Sequence, residues 1–92
     1  MKNNKLTAKY IKDVFRFMEM YHLRNVSVGN VWFEYIKDGG YNEYNISIVF
    51  DNSIEKLLDP DESTTDLFSG YEVSEVISKI KNSEYYMMEL EV

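Results

Sequence analysis

The sequence predicts a small α+β domain, and three observations support that prediction. The chain has 92 residues, enough for one domain with one core and too few for two, so residues 1–92 are expected to form a single domain. Two segments place apolar residues at helical spacing, and between them the period changes to two. The predicted architecture is an antiparallel β-hairpin or three-stranded sheet flanked by two main helices, in the order α-β-β-(α)-α-β.

The first helix is predicted over residues 7–24. Thr7 stands where an N-cap is expected, and charged residues occupy the side opposite the apolar stripe. Tyr10, Phe17 and Met20 lie outside the stripe, so either the buried face is wide or part of the helix is exposed apolar surface available to a partner. The residues at i, i+3, i+4 and i+7 spacing are Ile11, Val14, Phe15, Met18 and Tyr21.

A β-hairpin is predicted between residues 25 and 50. Apolar and polar residues alternate on both sides of residues 38–40, and the Asp-Gly-Gly sequence there supplies the positive φ that tight hairpin turns require. The alternation slips by one residue at Gly29-Asn30. This slip predicts a second tight turn or a bulge, and with it an extra short strand.

The segment 51–70 is predicted to be irregular. Ser53 is a possible cap for a short helix through Leu58, and a polar run containing Pro60 follows it. A second helix is then predicted over residues 71–82, with Glu near its start and Lys near its end, as the helix dipole favours. Its apolar stripe is Val73, Val76, Ile77 and Ile80.

In the C-terminal residues, one set of apolar side chains recurs at every second position. This pattern predicts a final strand over residues 86–92, with a continuing helix as the alternative. The residues in the apolar phase are Tyr86, Met88, Leu90 and Val92.

The two parts of the chain carry opposite charge. Residues 1–37 have a formal charge of +4 and residues 38–92 one of −10, which gives the net charge of −6. A strongly anionic end repels nucleic acid and attracts basic protein surfaces. The sequence therefore favours a small acidic module that binds a protein.

Eight carboxylates within residues 51–75, against only Lys56, form the candidate anionic face. If they share one face, they can imitate a phosphate track, because carboxylate oxygens pair with Arg and Lys as phosphate oxygens do. The competing interpretation is that they are spread over the surface and only maintain solubility. The eight residues are Asp51, Glu55, Asp59, Asp61, Glu62, Asp66, Glu72 and Glu75.

Tyr41, Tyr44 and Tyr71 complete the predicted partner-binding set. With the Tyr85-Tyr86 pair they exceed what a core of this size easily buries, and tyrosine gives a large contact area at small entropy cost. The alternative is that they form cross-strand aromatic pairs covering a thin sheet.

No catalytic, cofactor or metal signature accompanies these features, and we expect no enzymatic activity. His22 is the only histidine, so a two-histidine metal site cannot form. There is no cysteine and no serine in a nucleophile-elbow setting, so a nucleophilic triad has no obvious members. An EF-hand loop begun at Asp59 fails at its sixth and twelfth positions, where Thr64 and Gly70 stand. The run is interpreted as a solvated acidic loop.

The composition and the acidic segment 51–75 resemble the small phage-encoded inhibitors of bacterial defence, namely anti-CRISPR proteins and DNA-mimic anti-restriction proteins. The resemblance rests on a short acidic chain rich in Asn, Lys, Ile and Tyr, as in low-GC bacteria and their phages, and on no aligned motif. It implies a stoichiometric inhibitor of a nuclease such as a Cas effector, acting in the bacterial cytoplasm. Inhibition would occur by occupying the nucleic-acid groove or by an allosteric route.

Two other functions stay open at this point. The same acidic face would serve an immunity protein or antitoxin that binds a toxin. Alternatively, Lys9, Lys12 and Arg16 give the first helix a basic flank that would serve a small nucleic-acid-binding regulator. Exposed apolar residues on that helix would favour a homodimer. No targeting segment or membrane span is expected, because no apolar run reaches the ~18 residues that a span needs.

Overall fold

Four antiparallel strands and two helices make up residues 5–49 and 64–90, the part of the chain that the computed structural model describes. The strands form one sheet in the order β1-β2-β3-β4. The predicted α+β class is confirmed, with one strand more than expected. The elements are α1 (Ala8–Met20), β1 (Asn25–Val28), β2 (Val31–Asp38), β3 (Tyr41–Val49), β4 (Thr64–Gly70) and α2 (Val73–Lys81).

Helix α1 begins where the sequence predicts and ends earlier. The Thr7 side chain accepts a hydrogen bond from the Tyr10 backbone N–H, as an N-cap does. The helix stops at Met20 because His22 has a φ of 57° and reverses the chain. Phe17 and Met20 are exposed, so the second of the two interpretations of α1 applies to them.

Two glycines set the two hairpins. Gly29 has a φ of 58° between β1 and β2, and Gly39 has a φ of 62° between β2 and β3. Each is the first central residue of a two-residue turn, the position where a type II′ turn requires glycine. The predicted turn at residues 38–40, the second tight turn at Gly29-Asn30 and the extra short strand β1 are all confirmed.

Strand β4 corrects the prediction that residues 51–70 are wholly irregular. It pairs with β3 from Tyr44 opposite Gly70 to Val49 opposite Thr64, with a register shift between Ile48 and Val49. Its own residues alternate weakly, so its strand conformation depends on pairing with β3. The short helix predicted from Ser53 lies outside the described residues.

The predicted C-terminal strand is wrong over the described residues. Helix α2 ends at Lys81, so the alternative of a continuing helix is also wrong. The chain turns at residues 84–87, where Met87 has a left-handed φ of 72°. Only the isolated antiparallel bridge between Lys5 and Glu89 follows, and it places Leu90 in the core.

The core lies between the helices and one face of the sheet. Phe15 of α1 is fully buried and makes edge-to-face contacts with Phe33 and Tyr44 on the strands. Both helices contact the sheet and each other, so they lie on the same face. Their buried residues are Ile11, Phe15 and Met18 of α1 and Val76, Ile77 and Ile80 of α2.

Candidate functional site

The face of the sheet opposite the helices is the candidate site, and strand periodicity determines its residues. Side chains alternate between the two faces of a strand, so the neighbours of the buried Phe33 and Ile46 point away from the helices. The register places Trp32, Ser47 and Leu67 in one row and Glu34, Asn45 and Ser69 in the next. Asn45 and Ser47 lie on this side of the sheet but are only 6% exposed. We define the outer sheet face as the at least partly exposed residues on this side, with Tyr71, whose ring contacts Tyr41; they are Asn25, Ser27, Trp32, Glu34, Ile36, Asp38, Tyr41, Glu43, Leu67, Ser69 and Tyr71.

Tyr41 and Tyr71 form an exposed aromatic pair at one end of the outer sheet face. Their ring centroids are 5.7 Å apart and their planes are at 88°. Tyr41 is 51% exposed and Tyr71 is 64% exposed. Two large rings in mutual contact but open to solvent give a rigid apolar surface of the kind found at interface hot spots.

The charge on this face has a single sign. Its charged residues are Glu34, Asp38 and Glu43, and among its described positions there is no Lys or Arg. Asp38 is the cross-strand partner of Tyr41, so a carboxylate lies beside the aromatic pair. The Glu34 carboxylate accepts a hydrogen bond from Asn45 Nδ2 at 3.3 Å, which orients it on the face.

Glu75, one of the predicted binding carboxylates, has a structural role at the start of α2. Its Oε1 accepts hydrogen bonds from the backbone N–H of Tyr71 at 2.9 Å and of Glu72 at 3.1 Å. This arrangement caps the N-terminus of α2 and fixes the backbone that carries the Tyr71 ring. Glu72 and Glu75 are both exposed, and the Glu75 carboxylate lies at the backbone of Tyr71.

The prediction that Tyr44 is exposed is wrong. It is only 6% exposed, because its position in β3 points the ring at Phe15 on the helix side. Its hydroxyl donates a hydrogen bond to Glu19 Oε2 at 2.9 Å, and its ring stacks on Tyr35 with centroids 5.1 Å apart. The alternative of cross-strand aromatic pairing therefore holds for Tyr44.

The burial of Tyr44 leads to a prediction about alkaline stability. Burial, followed by the hydrogen bond to Glu19, raises the pKa of Tyr44 from 10.0 to about 12. The hydroxyl thus stays protonated in the folded state at a pH where it ionises in the unfolded state. Its stabilising effect is full below about pH 10, and the free energy of unfolding falls by up to about 1.4 kcal/mol per pH unit between about pH 10 and 12.

Urea unfolding from about pH 9 to about pH 12 measures this effect in the native protein and in Tyr44→Phe. We expect the stability difference between the two proteins to shift in favour of Tyr44→Phe as the pH rises, because phenylalanine does not ionise. A difference that stays constant over this range would contradict the assignment.

The side chains of the other predicted carboxylates are not described by the structure. Asp66 stands in β4, opposite Ile48, at a position whose side chain is not described. The remaining five lie outside the described residues, so the predicted single anionic face is untested for them; they are Asp51, Glu55, Asp59, Asp61 and Glu62.

Several residues of the outer sheet face were not in the predicted set. Trp32, Glu34 and Asp38 share one phase of the alternation in β2, and Glu43 shares a phase with Tyr41 in β3. The period of two therefore assigns these residues to one face of their own strand. Placing the residues of different strands next to one another also requires the strand register, which the turns at Gly29 and Gly39 determine.

Within residues 5–49 and 64–90, no three His, Asp or Glu side chains are grouped so that they could hold a metal ion. The described helices are also too short to cross a membrane. Comparison with family models, with curated proteins and with solved structures finds no match for this chain.

Proposed function

We propose that this protein is a binding inhibitor whose outer sheet face docks on a basic surface of a nucleic-acid-binding bacterial defence nuclease. The observation that carries the proposal is the exposed Tyr41–Tyr71 pair, set on a face whose described charges are all negative. The nuclease class comes from the resemblance in composition to anti-CRISPR and anti-restriction proteins.

The chemistry of the face matches an arginine- or lysine-rich partner. Tyrosine rings attract cations through their faces, and carboxylates pair with guanidinium groups in bidentate geometry. Asp38 lies opposite Tyr41 on β2, and Glu43 follows Tyr41 on the same face of β3, so two carboxylates share the face of the aromatic pair. Nucleic-acid-binding grooves are rich in these cations, which makes such a groove a suitable target.

The alternative of a nucleic-acid-binding first helix has weaker support. Lys9 of α1 is paired with Asp13 at 3.1 Å, and Glu19 lies in the same shallow cleft as Lys12 and Arg16. These carboxylates reduce the positive potential that binding to phosphates requires. The face with a uniform charge is therefore the better candidate.

A variant of the aromatic pair tests the proposal. We expect Tyr41→Ala plus Tyr71→Ala to weaken inhibition of the target nuclease by about tenfold or more, because hot-spot aromatic residues carry much of the binding energy. The matched control is Phe17→Ala plus Tyr21→Ala, which removes another exposed aromatic pair, with centroids 4.8 Å apart, from α1. The control should retain full inhibition.

The measurement has two stages. The tagged protein is used to capture nucleases from a low-GC bacterial lysate at low and high salt, and each captured nuclease is then purified and its DNA cleavage titrated with the protein and both variants. Stoichiometric inhibition that weakens with salt and is lost only in the Tyr41/Tyr71 variant supports the proposal. Cleavage that proceeds unchanged for every captured nuclease would refute it.

A further inference from the structure

A second candidate site adjoins the outer sheet face, in a cleft between the end of α1 and the end of β2. Its volume is about 380 Å³. His22 and Arg24 line it from the α1–β1 connection, and Tyr35, Lys37 and Asp38 line it from β2. Three basic side chains, those of His22, Arg24 and Lys37, therefore line one cleft in a protein whose net charge is −6.

The cations of this cleft lack carboxylate partners. Among residues 5–49 and 64–90 the salt bridge found is that of Lys9 with Asp13, and neither Arg24 nor Lys37 joins one. Asp38 lines the same cleft without lying within ion-pair distance of either cation. Both cations line the same cleft, so an anion bound there would be attracted by each of them.

The backbone adds a donor to the same cleft. The Tyr35 N–H donates to the Arg24 carbonyl oxygen at 2.8 Å, beyond the last β1–β2 pair, Asn25 with Glu34. Because backbone groups alternate in direction along a strand, the Lys37 N–H points to the same side as that of Tyr35. It has no partner among the described residues, because β1 does not extend that far.

The conformation of His22 is the third observation. The N–H of Leu23 donates to the carbonyl oxygen of Met18 at 2.9 Å, and that of His22 donates to Glu19 at 3.4 Å, the hydrogen-bond pattern of a Schellman helix end. The residue with positive φ in this motif is usually glycine, and here His22 has a φ of 57°. A histidine at this position costs stability and places an imidazole in the cleft.

We infer that this cleft binds an oxyanion, the phosphate or carboxylate group of a small ligand. Arg24 supplies a planar guanidinium, Lys37 supplies both its ammonium and its backbone N–H, and His22 supplies a ring nitrogen. The volume exceeds that of a bare anion and leaves room beside Tyr35 for the group attached to it. The site meets the proposed inhibitor face at Asp38, but the inference does not depend on that proposal.

Amide NMR titration tests the inference with three probes, namely inorganic phosphate, adenosine monophosphate and acetate, against chloride at matched ionic strength. We expect saturable shifts of the Lys37 amide with a dissociation constant of about 1 mM for at least one probe. Arg24→Gln plus Lys37→Gln should lower the affinity by about tenfold or more. The control, Lys12→Gln plus Arg16→Gln, makes the same change in charge on α1 and should leave the affinity unaltered.

His22→Gly separates a role in binding from a role in folding. Glycine suits the positive φ, so the midpoint of thermal unfolding should rise by about 4 °C while the affinity for the anion falls by about threefold. An unchanged affinity would remove His22 from the site.

The probes also distinguish the two ligand sources. Binding of phosphate or adenosine monophosphate alone assigns a phosphate ligand, and binding of acetate alone assigns a carboxylate; either result supports the oxyanion site. Shifts that do not saturate for any probe, or an equal loss of affinity in the Lys12/Arg16 control, would overturn it.

Discussion

Replacement of Phe15 by alanine is expected to lower the free energy of unfolding by about 3 to 5 kcal/mol. The Phe15 side chain is fully buried. Its ring centroid lies 5.6 Å from that of Phe33 and 5.1 Å from that of Tyr44, both in edge-to-face geometry. Alanine would remove both aromatic contacts and leave a cavity between α1 and the sheet, where the surrounding strands can relax only partially.

Phe17→Ala is the matched control for this prediction. It makes the same chemical change two residues further along α1, at a side chain that is 50% exposed, and should cost less than about 1 kcal/mol. Denaturant unfolding of both variants, followed by far-UV circular dichroism, measures the difference. Equal losses in the two variants would contradict the placement of Phe15 at the centre of the core.

Replacement of Gly70 by alanine is expected to lower the free energy of unfolding by about 2 to 3 kcal/mol. A Cβ atom at Gly70 would lie 2.7 Å from Glu75 Cβ and 3.3 Å from Val76 Cγ2. The Glu75 atom cannot move away freely, because the Glu75 carboxylate caps α2 through the N–H groups of Tyr71 and Glu72. The clash would therefore push the start of α2 away from β4.

Gly40→Ala is the control, because a Cβ atom at Gly40 meets nothing within 4 Å and the residue has no positive φ. It should leave stability unchanged or raise it slightly by restricting the unfolded chain. Thermal unfolding of the two variants, at equal protein concentration, measures the difference. If Gly40→Ala proved as harmful as Gly70→Ala, close packing at Gly70 would not explain the result.

The same clash has a consequence for the candidate site. Tyr71 follows Gly70 directly, and its ring meets Tyr41 of the neighbouring strand. A shift at the start of α2 would separate the two rings. Gly70→Ala should therefore weaken partner binding as well as stability, although Gly70 is buried and contributes no side chain to the outer sheet face.

The sequence by itself determined the elements that depend on local signals. The stripes of α1 and α2, the Thr7 cap and the glycines at positions 29 and 39 act within a few residues of one another, so spacing and turn chemistry were sufficient to predict them. The same local alternation places Tyr41 and Glu43 in one phase of β3.

The tertiary structure decided what depends on residues far apart in the chain. Strand β4 has weak alternation and becomes a strand because it pairs with β3. Tyr44 is buried because α1 covers its side of the sheet, and Tyr41 meets Tyr71 because β4 returns beside β3. Such contacts join residues about thirty positions apart. Their formation depends on register and helix packing, which no local pattern of residues encodes.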